Sequence, residues 1–291
     1  MVVEQAGQAP GVAEMTIVSV VRDFEMYDRL VRNNPFNRGA TFYPVDNREK
    51  NEGVSVGYNR FLNQVDYTQE DWFVFCHEDW EIQEDWMARV DKLPKKSLYG
   101  PVGARVVGRK KIVLGRIKNS TKDGSGIRWV GNHFRTGGIT GTFDCQCLIV
   151  HSSLIRRTGL RFDPKLLFDF YVEEFCIHAR ERYGVLSRII DLPCQHYSFG
   201  NIHSRFFDAV EYVREKYPVP KVCYSSTAKT VFIGTPHFFD FLFLEKELLM
   251  LLFSRYICYS KVTQSNHRLI KIFNLPIYHV KVSEGQLREN I

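Results

Sequence analysis

Three short apolar runs, each ending in polar residues, are the feature that most constrains the fold of this chain. They cover residues 16–21 before Arg22-Asp23, residues 40–45 before Asp46-Asn47, and residues 72–76 before His77-Glu78-Asp79. Short runs rich in β-branched and aromatic side chains are typical of strands that are buried on both faces of a sheet. We therefore predict three buried strands with polar residues at their carboxyl ends.

The segment between the second and third runs predicts a helix. Its apolar side chains Tyr58, Phe61, Leu62 and Val65 recur at helical spacing after Ser55, a residue type that caps helix N-termini. Strands that alternate with helices indicate a doubly wound α/β sheet, in which ligands bind beyond the carboxyl ends of the strands. The three polar strand ends are therefore expected to converge on one crevice.

The composition is that of an ordinary globular protein, and it changes near residue 225. Of the 291 residues, 44% are hydrophobic and 25% are charged. We expect a flexible leader over residues 1–14, an α/β domain over residues 15–225 and a helical appendage over residues 226–291. The appendage is rich in Phe and Leu and then basic. It would either pack on the α/β domain or a partner subunit, or lie as an amphipathic helix on an anionic membrane surface.

Several classes of protein are disfavoured by the sequence. The seven cysteines show neither a C-x-x-C motif nor the dense spacing of a secreted disulfide scaffold, which favours a reducing cytosol. The N-terminal residues lack the regions of a signal peptide, and no apolar stretch is long enough for a membrane span. We expect a cytoplasmic protein that contacts the inner face of the membrane if its appendage binds lipid. Phosphate-loop, dinucleotide-binding, nucleophile-elbow and zincin motifs are also absent.

The net charge of +6 is divided unevenly along the chain. Residues 66–91 carry nine acids and one Arg, whereas residues 92–118 carry nine Lys or Arg and no acid. These clusters would either hold a metal and a phosphate or form two solvated faces. The basic residues do not form an arginine-rich arm, which argues against a nucleic-acid partner. The acids leave a metal-dependent nuclease or phosphodiesterase as a weaker alternative.

The tripeptide His77-Glu78-Asp79 is the sharpest local feature. In an extended segment, His77 and Asp79 point to the same side and Glu78 points elsewhere. A carboxylate here could hold Mg²⁺ or Mn²⁺ against a diphosphate. The alternative is that polar residues simply end a strand.

From about residue 15 to residue 205, the order of features resembles the family 2 glycosyltransferases of the GT-A fold. It is similar to a bacterial subgroup in which H-x-D stands where most members have D-x-D. The matching stretches are residues 16–21, Val45-Asp46-Asn47, residues 55–59, residues 73–79, residues 143–148, Arg161-Phe162-Asp163, residues 170–179 and residues 196–200.

The resemblance implies a Rossmann-like mixed sheet flanked by helices. It also implies an inverting transfer of sugar from a nucleoside diphosphate sugar to a hydroxyl of a polysaccharide or lipid-linked glycan precursor. Asp79 matches the metal-binding carboxylate, for Mn²⁺ or Mg²⁺, and His196 matches a histidine near the metal or diphosphate. His77 replaces an Asp and leaves the strength of metal dependence open, because a neutral imidazole attracts Mg²⁺ less than a carboxylate does. A lone histidine such as His196 is also often structural.

The same resemblance assigns the donor site and the catalytic base. Glu174 matches the carboxylate that takes the acceptor proton, with Glu173 as the second choice; alternatively, both acids only favour the helix dipole. Asn59 is equally compatible with ordinary polarity of a helix surface. The positions implied for the donor are Val21, Arg22, Asp23, Asp46, Asn47, Asn59, His77 and Asp144.

Two departures from the family pattern keep a different class of function open. His at position 77 and Glu at position 174 stand where the family has Asp. The rival hypothesis is a GT-A-like module that binds a nucleotide or a partner with weak turnover or none.

Overall fold

The computed structural model of the protein describes residues 14–107, 110–121, 126–132, 136–198, 204–217, 222–226, 229–233, 239–244, 247–252, 256–264, 267–272 and 275–281. The expected leader lies outside these residues apart from Glu14. The described residues form two compact units, one up to residue 198 and one from residue 204. The boundary expected at residue 225 differs from this division because a helix over residues 204–216 groups with the second unit.

The first unit is a mixed α/β structure. Its helices are α1 (Phe24–Tyr27), which continues as a π-helical turn (Asp28–Arg32), a 3-10 turn (Pro35–Asn37), α2 (Val54–Gln64), α3 (Met87–Asp91), α4 (Ser152–Thr158) and α5 (Tyr171–Tyr183). Its strands are β1 (Glu14–Val21), β2 (Thr41–Asp46), β3 (Asp71–Cys76), β4 (Trp80–Ile82), β5 (Leu98–Gly100), β6 (Val102–Val107), β7 (Lys110–Ser120), β8 (Ile127–Asn132), β9 (Ile139–Thr140), β10 (Thr142–Phe143), β11 (Cys147–His151), β12 (Ser187–Ile189) and β13 (Cys194–His196).

These strands form two sheets. The order in the larger sheet is β2-β1-β3-β11-β5-β12-β9, and the order in the smaller sheet is β10-β6-β7-β13-β4, with β8 beside β7. Strands β2, β1 and β3 run parallel, and β11 joins β3 antiparallel. The structure confirms the expected Rossmann-like mixed sheet flanked by helices.

The three predicted strands form the buried centre of the larger sheet. All six residues of β3 are buried, and its Phe73 and Phe75 rings pack on α2, with the Tyr58 and Phe75 ring centroids 4.9 Å apart. Helix α2 approaches β1 closely at Gly57, where an added Cβ would lie only 2.5 Å from Cγ2 of Val20. Burial of this apolar surface is the main stabilising contribution in such a core.

The second unit corrects the expectation of a helical appendage. After α6 (Ser204–Lys216), the described segments are the strands β14 (Val222–Ser226), β15 (Lys229–Ile233), β16 (Phe239–Leu244), β17 (Glu247–Leu252), β18 (Tyr256–Gln264), β19 (His267–Ile272) and β20 (Leu275–Lys281). They form one antiparallel sheet in sequence order. The prediction of a helix for the Phe/Leu-rich run is wrong, because its described residues 239–244 and 247–252 form two strands that pair with each other, Phe239 opposite Leu252 and Leu244 opposite Glu247.

The segment expected to form an amphipathic helix at a membrane surface forms strands β16 and β17 instead. Short segments with aromatic side chains fit a pleated sheet better than a helix of several turns. Among the helices in the described part of the chain, none has the length and apolar character that a bilayer crossing requires.

Two buried titratable groups lie beside the amino-terminal end of β3. Thr16 donates its hydroxyl to Asp71, and burial raises the pKa of Asp71 to about 6. The ring of His151 lies 4.9 Å from the Trp72 ring, and burial, with a contribution from the Lys95 charge, lowers the pKa of His151 to about 4. Asp71 therefore favours folding at low pH, whereas His151 favours folding at higher pH.

We expect Asp71→Asn and His151→Gln to change the pH dependence of stability in opposite directions. As the pH rises from 4 to 6.5, the wild-type chain loses the stabilisation that protonated Asp71 provides and gains the stabilisation that neutral His151 provides. Relative to wild type, the free energy of unfolding of Asp71→Asn should thus rise by roughly 2 kcal/mol across this range, and that of His151→Gln should fall by roughly 2 kcal/mol. Urea unfolding followed by tryptophan fluorescence measures the first unit, because Trp72, Trp80, Trp86 and Trp129 all lie in it. Differences from wild type that stay constant with pH would contradict this prediction.

Candidate functional site

The polar residues that follow the parallel strands meet at one edge of the larger sheet, as predicted. Val21 of β1 lies opposite Asp46 of β2. The carboxylate of Glu78, just after β3, accepts hydrogen bonds from the backbone N–H groups of Arg22 and Asp23 at 2.5 and 2.9 Å. Glu78 thus points away from its two neighbours and joins the ends of β1 and β3.

His77, Asp79 and His196 form a compact cluster at this edge. Nε2 of His196 lies 3.3 Å from Oδ1 of Asp79 and 3.3 Å from Nδ1 of His77. Nδ1 of His77 lies 3.9 Å from Oδ1 of Asp79. Two imidazole nitrogens and one carboxylate oxygen, all within 4.8 Å of one another, are a donor set for a divalent metal.

Two backbone pairings position this cluster. The N–H of Tyr197 donates to the carbonyl of Asp79 at 3.0 Å, and His196 lies opposite Trp80 in the pairing of β13 with β4. The N–H of His77 donates to the carbonyl of Gln146 at 3.1 Å, next to the pairing of β3 with β11. Residues far apart in sequence are therefore fixed by sheet hydrogen bonds.

The charges in the cluster are coupled. Burial tends to raise the pKa of Asp79, but His196, His77 and the Ser198 hydroxyl outweigh that effect and hold the pKa well below its usual range. Burial tends to lower the pKa of His196, but the Asp79 carboxylate outweighs it and the pKa is raised. Burial lowers the pKa of His77, and the Asp79 charge opposes this only in part. Asp79 is therefore ionised at neutral pH, as a metal ligand must be.

Helix α5 begins beside the cluster and carries both candidate bases. The hydroxyl of Tyr171, the first residue of α5, lies 2.7 Å from Nε2 of His77. Glu173 and Glu174 are buried in the first turn, with 2% and 0% exposure. Phe170 precedes the helix with a φ of 64°, a left-handed conformation that is rare for an aromatic residue. Such backbone conformations cluster at functional sites.

The residues that the sequence implies for binding the sugar donor fall into two groups. Asp144 acts electrostatically on both His77 and His196, so it lies near the cluster. Arg22 is exposed at the sheet edge, and Asp46 is exposed and paired with Arg48 at 2.5 Å. Arg22 and Asp46 are therefore accessible to a ligand, and Asp144 lies close to the cluster.

The other donor residues have structural partners. Asn47 is buried and its side chain accepts the N–H of Glu52 at 2.8 Å. The side chain of Asp23 caps α1 by accepting the N–H of Met26. Val21 is fully buried. Asn59 donates to the carbonyl of Phe162 at 2.7 Å and accepts its N–H at 2.9 Å. A donor-binding role for these residues stays a prediction.

The structure adds polar groups that the sequence did not single out. These are the hydroxyls of Tyr171 and Ser198, which reach His77 and His196 respectively. Gln146 lies opposite His77 next to the β3–β11 pairing. It is fully buried, and its side-chain oxygen and nitrogen make no hydrogen bond within the described structure. The sequence around Gln146, one glutamine between two cysteines, matches no known motif. Its place beside His77 becomes visible only from the pairing of β3 with β11.

Comparisons with known proteins reveal likeness of structure only. No protein-family model matches this sequence, and the search of curated proteins found no match. Among solved structures, the protein is similar to GalNAc-T7, determined with UDP, GalNAc and Mn²⁺, at 10% sequence identity and a TM-score of 0.47. The match covers 71% of this chain, and the chain spans about half of the GalNAc-T7 chain, 48%.

We expect Asn59→Ala to lower stability. Loss of both hydrogen bonds leaves the buried N–H and carbonyl of Phe162 without their Asn59 partner, which should lower the free energy of unfolding by about 2 kcal/mol. Asn63→Ala is the matched control, because Asn63 lies on the same helix and contacts the exposed part of Arg161. Its effect should stay within about 0.5 kcal/mol. Equal effects of the two substitutions in urea unfolding would contradict the structural role of Asn59.

Proposed function

We propose that the first unit is an inverting glycosyltransferase domain of the GT-A type, which transfers a sugar from a nucleoside diphosphate sugar to a hydroxyl acceptor. The observation that carries the proposal is one assembly: the His77, Asp79 and His196 cluster lies at the carboxyl edge of parallel strands and touches the helix that bears two buried glutamates. Ligand sites of α/β sheets lie at this edge.

The chemistry of the cluster supports binding of a divalent cation. A carboxylate held in its ionised form and two imidazole nitrogens suit Mn²⁺ better than Mg²⁺, which prefers oxygen ligands. A cation bound there would offset the negative charge of the departing nucleoside diphosphate. Asp79, His77 and His196 are the residues that would hold it.

Burial of the glutamates supports a role beyond the helix dipole. Acids that merely favour a helix N-terminus are usually exposed to solvent, where they cost nothing to ionise. Glu173 and Glu174 are instead almost fully buried beside Tyr171, whose hydroxyl touches the cluster. Burial of a carboxylate is costly, so its presence at a ligand edge favours a function.

In the proposed reaction, the Glu174 carboxylate takes the proton of the acceptor hydroxyl. The acceptor oxygen forms a bond to the anomeric carbon while the bond from that carbon to the diphosphate breaks. The electron pair of the broken bond leaves with the nucleoside diphosphate. One displacement, with no covalent enzyme intermediate, inverts the anomeric configuration.

The exposed polar groups at the edge support a place for the nucleotide. Arg22 and Asp46 follow adjacent strands, and Glu78 fixes the backbone of Arg22 and Asp23. The cluster and the nucleotide contacts would therefore share one rigid frame. Of the basic residues proposed for phosphate, Lys95 pairs with Glu70 and Lys118 bonds Gln83 at 2.6 Å.

The donor set also favours one other activity, since two histidines and one carboxylate form the iron site of non-haem oxygenases. Oxidation of a substrate in the presence of Fe²⁺ and O₂ would favour the oxygenase. Release of nucleoside diphosphate in the presence of Mn²⁺ would favour the glycosyltransferase. Binding of a nucleotide without sugar release would favour the non-catalytic binding module instead.

We expect Asp79→Ala to abolish metal-dependent turnover. The protein is incubated with UDP-, GDP- and dTDP-sugars and Mn²⁺, and release of nucleoside diphosphate is measured. Loss of the charged ligand should lower the rate by at least about 100-fold and remove stabilisation by Mn²⁺ in thermal unfolding. Asp66→Ala is the matched control, because Asp66 is exposed and bonds only Thr68 among the described residues. Equal turnover of Asp79→Ala and wild type would refute a catalytic metal.

We expect Glu174→Gln to slow sugar transfer and leave donor binding intact. Removal of a general base typically costs about 10²- to 10⁴-fold in rate. Glu173→Gln tests the second choice, and Glu181→Gln, at an exposed position of the same helix, is the control. A larger rate loss in Glu173→Gln would move the base to Glu173, and no loss in either would exclude both.

A further inference from the structure

The hydroxyl of Tyr171 lies between two groups of different character. It is 2.7 Å from Nε2 of His77 and 3.0 Å from the carbonyl oxygen of Cys145. Tyr171 is fully buried, so these contacts are shielded from water. A carbonyl oxygen accepts hydrogen bonds only, whereas an imidazole nitrogen donates or accepts according to its protonation.

When His77 is neutral, only one arrangement of protons satisfies both contacts. The hydroxyl has a single proton, and if that proton pointed at His77, two oxygens would face each other at 3.0 Å with no hydrogen between them. If it points at Cys145, the hydroxyl oxygen is free to accept from Nε2–H of His77. The second arrangement makes two hydrogen bonds in a buried site, and the first makes one.

We propose that Tyr171 is a positioning residue that holds neutral His77 in the Nε2–H form, so that the Nδ1 lone pair faces Asp79 and His196. The inference rests on the proposed metal site. Nδ1 of His77 and Nε2 of His196 are then the two nitrogens offered to a cation, and they are the two that lie 3.3 Å apart. The partner of the non-ligating nitrogen commonly sets the form of a metal-binding histidine.

This contact also links the metal cluster to the catalytic helix. Tyr171 and Glu174 belong to the first turn of α5, and the Tyr171 hydroxyl bridges the loop before β11 and the end of β3. The position of the proposed base therefore depends on the same hydrogen bonds that orient His77.

The chain contains a close control for Tyr171. Tyr58 is also buried, its ring centroid lies 6.1 Å from that of Tyr171, and its hydroxyl donates to the carbonyl of Cys76 at 3.1 Å. Tyr58→Phe and Tyr171→Phe each remove one hydroxyl and one bond to a carbonyl. Of the two hydroxyls, that of Tyr171 makes the hydrogen bond to His77.

The test uses the full chain and Mn²⁺ alone. We expect Tyr171→Phe to bind Mn²⁺ about 10- to 100-fold more weakly than wild type by calorimetry, the usual effect of losing such a partner, and Tyr58→Phe to bind as wild type does. Nitrogen NMR of metal-free, histidine-labelled protein, assigned with His77→Gln, should show the proton on Nε2 of His77 in wild type and Tyr58→Phe. That preference should be lost in Tyr171→Phe.

The outcomes separate the inference from the metal site itself. Wild-type protein that binds no Mn²⁺ would overturn the proposed metal site, and the NMR measurement would still decide the form of His77. A proton on Nδ1 of His77 in wild type, or an unchanged Nε2 preference in Tyr171→Phe, would overturn the inference. Equal loss of Mn²⁺ affinity in both tyrosine variants would reduce the role of Tyr171 to packing.

Discussion

The contact between Asp79 and His196 is the interaction on which the site depends, because it lies where the chain passes from the larger sheet of the first unit into the smaller one. Asp79 lies between β3 of the larger sheet and β4 of the smaller sheet, and His196 ends β13, which pairs with β4. His196, together with His77 and the Ser198 hydroxyl, outweighs the effect of burial on the pKa of Asp79 and keeps the carboxylate ionised. The negative charge of the Asp79 carboxylate and the nitrogens of two imidazoles lie within 4.8 Å of one another. A negative charge and ligand atoms that close together favour binding of a cation.

Much of the sheet edge could be predicted from the sequence, because it follows from local rules. A buried parallel strand requires a continuous apolar run, and its first polar residue marks the point where the chain leaves the sheet. His77, Glu78 and Asp79 were identified in this way. Glu78 does bond the backbone after β1, but the expected alternation along an extended segment is not the reason. Glu78 and Asp79 lie in a turn, in which the Trp80 N–H donates to the His77 carbonyl at 3.3 Å.

Other parts of the site depend on pairing between distant segments, which one sequence does not reveal. Gln146 comes to lie opposite His77 only through the antiparallel pairing of β11 with β3. No pattern in the sequence identified Tyr171, whose ring is buried but whose hydroxyl reaches the cluster. In the second unit, Phe and Leu are compatible with both helix and strand. The strand pairing decided against the helix, as the pairing of Leu244 with Glu247 illustrates.

The two hydrogen bonds from the backbone of Arg22 and Asp23 to the Glu78 carboxylate have a consequence for protein engineering. The middle position of His77-Glu78-Asp79 is not a spacer, because its carboxylate fastens the neighbouring strand. Grafting only His77 and Asp79 onto another scaffold would transfer the proposed ligands without the hydrogen bonds that hold their loop against the end of β1. A successful graft would need an acceptor in the middle and two free N–H groups at the end of the adjacent parallel strand.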